Sequence, residues 1–130
     1  MKERRQVMPQ AVTVFIGCVD PRIQETLDRL RLNLGLEYGS FFRVLVQGGA
    51  GNSRQLREHL SLVLSDYRHQ MVSVVLTTHE DCRAGVTKES LLEATRIVRE
   101  EFGLTEVQVF YILLNGSWES LSLSPEGSLK

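Results

Sequence analysis

Short apolar runs alternate with segments of helical periodicity along the chain, and this alternation constrains the fold more than any other feature of the sequence. The runs are rich in β-branched residues, which is typical of strands buried on both faces; they lie at residues 11–17, 41–46, 72–77 and 107–114. Alternating strands and helices favour a parallel sheet with right-handed crossovers. The sequence therefore predicts a single α/β domain over residues 1–130, with a mostly parallel, four- to five-stranded sheet flanked by helices.

Three helices are predicted between the runs, because apolar residues recur there at intervals of three and four. The residues of these three stripes are Ile23, Leu27, Leu30 and Leu34; Leu56, Leu60, Val63, Leu64 and Tyr67; and Leu91, Ala94, Val98 and Phe102. Asp20 and Asn52 are the expected N-caps of the first two helices. Gly35 and Gly103 are the expected ends of the first and third.

Charge and apolar content exclude several classes of protein. Fifteen Lys and Arg against sixteen Asp and Glu leave a net charge of −1, whereas nucleic-acid binding requires clustered positive charge. No apolar run approaches the ~20 residues of a membrane span, and two cysteines are too few for a disulfide-stapled secreted scaffold. We therefore expect a cytoplasmic enzyme or binding module. Residues 1–10 are its polar arm, and residues 115–130, rich in serine and glycine, are a partly irregular tail.

Cysteine and histidine residues stand where two of the predicted strands end. Cys18 follows the first strand, and His79 and Cys82 follow the third. If these two strands are neighbours, the three side chains converge in one crevice beyond the carboxyl ends of the sheet. Two thiolates and one imidazole are a usual ligand set for Zn²⁺, and three protein ligands leave the fourth tetrahedral position open for catalysis. Zinc in such a site lowers the pKa of a bound water to about 7.

A carboxylate and a guanidinium follow Cys18 closely, as Asp20 and Arg22. Beside a metal, Asp20 has two alternatives: it accepts the proton of a bound hydroxide and orients it, or it takes the fourth position and closes the site. Arg22, by pairing with that carboxylate, would hold it off the metal. Asp20 also suits an N-cap before Pro21, and its two oxygens can serve both roles.

A glycine-rich turn, Gly48-Gly49-Ala50-Gly51-Asn52, follows the second strand. Glycine lets backbone amides approach an anionic ligand closely at the positive end of a helix. Gly49, Ala50 and Gly51 are therefore candidates for substrate binding. A tight strand-to-helix connection explains the same residues equally well.

Taken together, these segments resemble the β-class carbonic anhydrases. Cys-x-Asp-x-Arg at residues 18–22 and His-x-x-Cys at residues 79–82 are similar to the motifs of that family. Ala50-Gly51-Asn52, which lies between them, is similar to the family's Asn-Ala-Gly-Asn loop. The resemblance extends over residues 12–113, and the combination in this order at strand ends is specific.

The resemblance implies a β-carbonic anhydrase-like fold, with Zn²⁺ on Cys18, His79 and Cys82 and with Asp20 and Arg22 as a dyad beside the ion. The implied reaction is the reversible hydration of carbon dioxide to bicarbonate and a proton. The implied assembly is a homodimer or an oligomer built from dimers, with the sites near the subunit interface. A partner subunit would also supply walls that a ten-residue N-terminal arm is too short to build.

Other functions stay open at the level of sequence. Pro21, Gly48, Gly49 and Arg83 stand where the family usually has other residues. These departures favour a zinc-binding module that has lost catalysis and serves in sensing or assembly, or an enzyme for a related small molecule such as carbon disulfide or carbonyl sulfide. A redox protein with a disulfide between its two cysteines is disfavoured, because the chain has no Cys-x-x-Cys pair. A nucleotide-binding domain is disfavoured because the glycine fingerprints are absent.

Overall fold

The computed structural model describes residues 11–122. The predicted arm at residues 1–10 and the part of the predicted tail at residues 123–130 lie outside the described residues. The elements follow in the order β1 (Val12–Cys18), α1 (Gln24–Asn33), β2 (Phe41–Val46), α2 (Ser53–Leu64), β3 (Val72–His79), α3 (Ser90–Arg96), β4 (Val107–Ile112) and β5 (Trp118–Leu121). A π-helical segment, Ile97–Glu101, continues α3.

The five strands form one sheet in the order β2-β1-β3-β4-β5. β1 pairs in parallel with β2 and β3, β3 pairs in parallel with β4, and β5 is antiparallel to β4. The predicted α/β class with a mostly parallel sheet is therefore confirmed. Because the winding direction reverses between β1 and β3, a crevice opens beyond the carboxyl ends of these two strands.

The hydrophobic core occupies both faces of the sheet, which explains the continuous apolar run in β1. Val14 and Ile16 pack with residues of α2 and α3 on one face. Phe15 packs with residues of α1 on the other face. Successive side chains of a strand point to opposite faces, so a strand covered on both faces favours apolar residues at most of its positions.

The predicted helix signals act locally as expected. The Asn52 side chain accepts a hydrogen bond from the Gln55 N–H at 3.2 Å and caps α2. Asp20 Oδ1 accepts the Arg22 N–H at 2.8 Å, but it caps a 3₁₀ turn, Pro21–Ile23, from which α1 then begins. Short 3₁₀ turns are common at the amino ends of α-helices.

Strand β5 lies inside the segment whose composition indicated a partly irregular tail. It pairs with β4 from Ile112 opposite Trp118 to Val109 opposite Leu121. The half-buried Trp118 packs against the core cluster on the α1 side of the sheet. Within residues 11–122, no helix has the length and apolarity needed to cross a bilayer.

Candidate metal centre

The two central strands bring the predicted ligands together. Cys18 ends β1, His79 ends β3, and Cys82 lies in the turn that follows β3. Since β1 and β3 are paired neighbours, both strands end at the same edge of the sheet. One candidate ligand atom from each of the three residues lies within 4.8 Å of the other two. Two sulfurs bound tetrahedrally to zinc at ~2.3 Å lie about 3.8 Å apart, so the cluster is close to the size that one ion requires.

His79 has the geometry of a metal-binding histidine. Its side chain is 0% exposed, and its Nδ1 lies 2.7 Å from the Glu80 carbonyl oxygen. Since a carbonyl only accepts, Nδ1 carries the proton and Nε2 presents a lone pair. Among residues 11–122, this Nε2 is the one buried side-chain nitrogen or oxygen without a hydrogen-bond partner. A carbonyl that holds one ring nitrogen and so frees the other is the usual support of a metal-binding histidine.

Cys18 is buried beside the glycine turn. The Gly48 N–H donates to Cys18 Sγ at 3.3 Å, and the Thr78 hydroxyl donates to the Gly48 carbonyl at the same distance. Gly48 has a φ of +90°, a conformation that favours glycine. The turn thus places a backbone hydrogen-bond donor against the sulfur and holds the Cys18 side chain in position.

Cys82 is half-buried, and removal from water raises the pKa of its thiol. The nearby Cys18 raises this pKa further. A thiol with a raised pKa is neutral at pH 7, so a metal that binds here must displace a proton. Two cysteines and one histidine are soft and borderline donors, which favour zinc over magnesium or calcium. The residues present therefore fit a zinc ion.

Asp20 and Arg22 form a bidentate ion pair at the edge of the cluster. The Arg22 Nη2 donates to Asp20 Oδ2 at 2.8 Å, and Nε donates to Oδ1 at 3.1 Å. These hydrogen bonds lower the pKa of the Asp20 carboxyl from 3.8 to about 2, and they also raise the pKa of Arg22. Asp20 is 12% exposed, and its Oδ2 lies 3.7 Å from His79 Nε2. The carboxylate therefore faces the candidate ligands while Arg22 holds it.

Two residues that the sequence patterns do not single out also support this site. The Gln24 side-chain amide donates to the Cys18 carbonyl at 2.8 Å and to the Asp20 carbonyl at 2.7 Å, and so secures the β1–α1 turn. Asp81 accepts from Arg22 through both its side chain and its carbonyl. Neither contact can be predicted from the spacing of residues along the chain. Each one joins a side chain to a turn, and the sequence does not show the path of that turn.

The glycine turn has a visible packing role. A Cβ added to Gly49 would lie 2.6 Å from the Thr77 carbonyl oxygen and 3.1 Å from the Cys18 nitrogen. Gly49 therefore lets the turn pack directly on the ends of β1 and β3. Gly49 and Ala50 are buried, and neither they nor Gly51 line the cavity at the cluster. Their assignment as substrate contacts stays a prediction.

A cavity of about 390 Å³ opens over the cluster. Its apolar lining comes from Val19, Pro21 and Ala84, and Arg83 and Gln47 contribute polar groups. Its lining also includes Cys18, Asp20, Arg22 and Cys82. A small molecule that enters this cavity meets the thiols and the carboxylate at the same time.

No protein-family model and no curated protein sequence matches the chain. Solved structures do resemble it. A β-carbonic anhydrase of the fungal pathogen Aspergillus fumigatus is 18% identical, and the match covers 94% of this chain and 81% of that one with a TM-score of 0.56. Isoform I of the β-carbonic anhydrase from the protozoan Trichomonas vaginalis is 15% identical, with coverage of 92% and 87% and a TM-score of 0.52.

A third similar structure belongs to a study of two tetrameric β-carbonic anhydrases from the filamentous ascomycete Sordaria macrospora. It is 15% identical, covers 86% of this chain and 81% of that chain, and has a TM-score of 0.52. At such identities the similarity establishes the fold. The chain therefore has the fold of the β-carbonic anhydrases, and its activity has to be argued from the site.

Proposed function

We propose that this chain is a zinc-dependent carbonic anhydrase, which catalyses the reversible hydration of carbon dioxide to bicarbonate and a proton. The observation that carries the proposal is the buried Nε2 of His79, which has no partner among the described residues and lies with two thiols where the winding of the sheet reverses. The β-carbonic anhydrase fold supports the same function.

Cys18, His79 and Cys82 would hold the zinc ion beside the cavity that Cys18 and Cys82 line. Zinc supplies a Lewis acid that lowers the pKa of a water to about 7, so that a nucleophile is available at neutral pH. The protein's part is to keep the two sulfurs and the imidazole in place. The Gly48 N–H on Cys18 and the Glu80 carbonyl on His79 do this.

Asp20 would orient the attacking water. With a pKa of about 2, its carboxyl group is ionised at neutral pH and can only accept hydrogen bonds. A water next to it must therefore donate an O–H to the carboxylate, which restricts the orientation of the lone pairs on the water oxygen. Arg22 donates to both carboxylate oxygens and so would keep Asp20 from binding the metal itself.

The cavity suits both the substrate and the product. Carbon dioxide is small and without net charge, and the apolar wall of Val19, Pro21 and Ala84 tolerates it. Addition of the water oxygen to the carbon of carbon dioxide yields bicarbonate, and the proton released passes to solvent on the open side. Arg83 gives the rim a positive charge that favours the anionic product.

The same proposal includes a homodimer or an oligomer built from dimers. Val19 lines the cavity and is 50% exposed, so this wall is incomplete for a site that must exclude bulk water. A second copy across a two-fold contact would cover it. Sedimentation should show a dimer or a larger even oligomer, and a monomer at micromolar concentration would contradict this part of the proposal.

Metal analysis and rapid-mixing hydration assays test the proposed function. The purified chain should contain about one zinc per chain and hydrate carbon dioxide. Cys82→Ser should lose zinc, lose activity to the uncatalysed background and unfold more easily, because the energy of binding to such a site is partly folding energy. Arg83→Ser, which changes the next residue of the same turn and removes no ligand, should keep its zinc.

The outcomes separate the alternatives. Full zinc occupancy in Cys82→Ser would contradict the ligand assignment. Zinc in the wild type without hydration of carbon dioxide would favour a zinc-binding module of this fold that has lost catalysis. Turnover of carbonyl sulfide or carbon disulfide in place of carbon dioxide would instead favour the related small-molecule enzyme.

A further inference from the structure

Arg22 has a second acidic partner besides Asp20. Its Nη1 donates to Asp81 Oδ2 at 3.1 Å, and its Nη2 donates to the Asp81 backbone carbonyl at 2.9 Å. The guanidinium group therefore lies between two carboxylates, with Nε and Nη2 on Asp20 and Nη1 and Nη2 on Asp81. Hydrogen bonds to two partners restrict the planar guanidinium group to one orientation.

Asp81 has an unusual backbone conformation at the point where it contacts Arg22. Asp81 lies between His79 and Cys82 and has a φ of +56°, the one positive φ of a non-glycine residue among residues 11–122. Aspartate enters this left-handed region more readily than most residues, but the conformation still carries a cost. The turn that carries two candidate ligands is thus joined to the β1–α1 turn through Arg22.

We propose that Asp81 is a positioning residue of the site: by holding the Arg22 guanidinium, it keeps the Asp20 carboxylate, which faces the Cys18, His79 and Cys82 cluster, from moving into ligand distance of it. Asp20 Oδ2 is 3.7 Å from His79 Nε2, so a small rotation of the carboxylate would bring it into the position of a fourth ligand. Arg22 prevents that rotation only while Arg22 itself is fixed. Asp81 supplies the fixed point through two acceptors: its carbonyl belongs to the backbone of the ligand turn, and its carboxylate accepts a second hydrogen bond that sets the orientation of the guanidinium.

The contact acts on orientation more than on stability. The Asp81 side chain is 71% exposed, and exposed ion pairs add little to the free energy of unfolding. A purely structural role would therefore predict almost no effect of replacing Asp81. A positioning role predicts a change at Arg22 and at the fourth ligand position without a loss of folding.

The first test needs no metal. In the ¹⁵N-labelled full chain without metal, NMR measures the exchange rate of the Arg22 Nε–H proton, which is hydrogen-bonded to Asp20. Asp81→Gly permits the positive φ and keeps the backbone carbonyl, but removes the carboxylate. It should raise this rate roughly two- to fivefold, the range expected for one exposed charged contact. Asp81→Asn, which keeps a side-chain oxygen acceptor, should lie between Asp81→Gly and wild type, and Asp66→Ala, which removes an exposed aspartate elsewhere, should leave the rate unchanged.

The second test rests on the proposed function and uses the Co²⁺-loaded chain. Azide titrated into the cobalt protein reports access to the fourth position through the visible spectrum. Asp81→Gly should weaken azide binding roughly two- to fivefold, with the cobalt content unchanged. Arg22→Ala should weaken it more, and adding Asp81→Gly to Arg22→Ala should have no further effect, because Asp81 acts through Arg22.

Failure of this inference is distinguishable from failure of the proposed function. A wild-type chain that binds neither Zn²⁺ nor Co²⁺ overturns the proposed function, and the Nε–H exchange rate then decides the role of Asp81. An unchanged exchange rate in Asp81→Gly overturns the positioning role. An equal loss of azide affinity in the presence and absence of Arg22 also overturns it, because Asp81 would then act independently of Arg22.

Discussion

Two arginine–carboxylate clusters in this molecule are both bidentate ion pairs, but the groups that surround the two pairs differ. In the first cluster, Arg22 donates two hydrogen bonds to Asp20 beyond the carboxyl end of β1. In the second cluster, Arg57 of α2 donates two hydrogen bonds of 2.8 Å to Glu101, the last residue of the π-helical segment that continues α3. Both arrangements lower the pKa of the carboxyl group to about 2. By ion-pair geometry and by pKa alone, the two clusters are equivalent.

Their surroundings separate them. Asp20 is 12% exposed and faces an unpartnered imidazole nitrogen, two thiols and a cavity. Glu101 is 36% exposed and is surrounded by further surface charges, including Arg96. Among residues 11–122, the group of candidate metal ligands lies only beside the first cluster. A shifted pKa therefore reports an ion pair, and chemistry depends on which other groups the pair faces.

The comparison is tested most strongly by removing the charge from each carboxylate in turn. Asp20→Asn should lower the rate of carbon dioxide hydration by roughly tens- to thousandfold, the range for loss of a preorganised hydrogen bond in a transition state. Glu101→Gln, an equally small change in an equally short ion pair, should leave the rate unchanged. The measurement is kcat/KM by rapid mixing, with zinc content determined in both variants. Equal rates in the two variants would show that the Asp20 pair has no special role.

A smaller effect is expected when a glycine is replaced near each cluster. Gly49→Ala places a Cβ 2.6 Å from the Thr77 carbonyl at a φ of +57°, whereas Gly103→Ala has the same type of positive φ, +70°, with nothing within 4 Å. Gly103→Ala should lower the free energy of unfolding by about 1 kcal/mol, because alanine is strained at this positive φ. Gly49→Ala should lower the free energy of unfolding by about 2–4 kcal/mol, because the turn and the ends of β1 and β3 must also move apart.

Urea unfolding of the two glycine variants measures this difference. Gly49→Ala should also bind zinc more weakly, since the turn that it distorts holds the donor on Cys18. Gly103→Ala should bind zinc as the wild type does. Equal losses of stability in the two variants would mean that the turn can relax, and the close packing against β1 and β3 would then not constrain the site.

The smallest effect concerns pH, and there the two clusters should behave alike. The pKa of Asp20 falls from 3.8 to about 2, and that of Glu101 falls from 4.5 to about 2. A carboxyl group whose pKa is lowered on folding stabilises the protein above its unfolded pKa, and this contribution is lost as the pH falls through the folded pKa. Both contributions should therefore be present above about pH 4.5 and disappear toward pH 2.

Carbon-13 NMR titration of the metal-free chain measures both carboxyl groups in one experiment. Stability measured between pH 5 and pH 2 should decline less steeply in Asp20→Asn and in Glu101→Gln than in the wild type. A normal pKa for Asp20 beside a low pKa for Glu101 would contradict the bidentate pair with Arg22. It would also remove the physical basis for holding Asp20 off a metal.

The parts of the fold that the sequence predicts are those with a local cause. β2 has the predicted bounds, because its apolar run is bordered by turn residues on both sides. Asn52 caps α2 as predicted, since a cap depends on a side chain and the backbone three residues later. β5 could not be predicted, because this strand is defined by its pairing with β4 and not by a pattern of its own.

The candidate site divides in the same way. The positions of Cys18, His79 and Cys82 at strand ends follow from the order of apolar runs, and the Asp20–Arg22 pair follows from a separation of two residues. Asp81, by contrast, is 59 residues from Arg22. Its role depends on a positive φ and on the path of the turn after β3.

By itself, the sequence determined the α/β class, the local caps and the identity of the candidate ligands, because periodicity and short-range hydrogen bonds act between residues close along the chain. Only the tertiary structure decided that β1 and β3 are neighbours and that His79 Nε2 is buried without a partner among the described residues. It also placed Asp81 on Arg22 and left Glu101 among surface charges. Strand order and burial arise from packing between distant segments, and spacing along the chain does not encode which segments become neighbours.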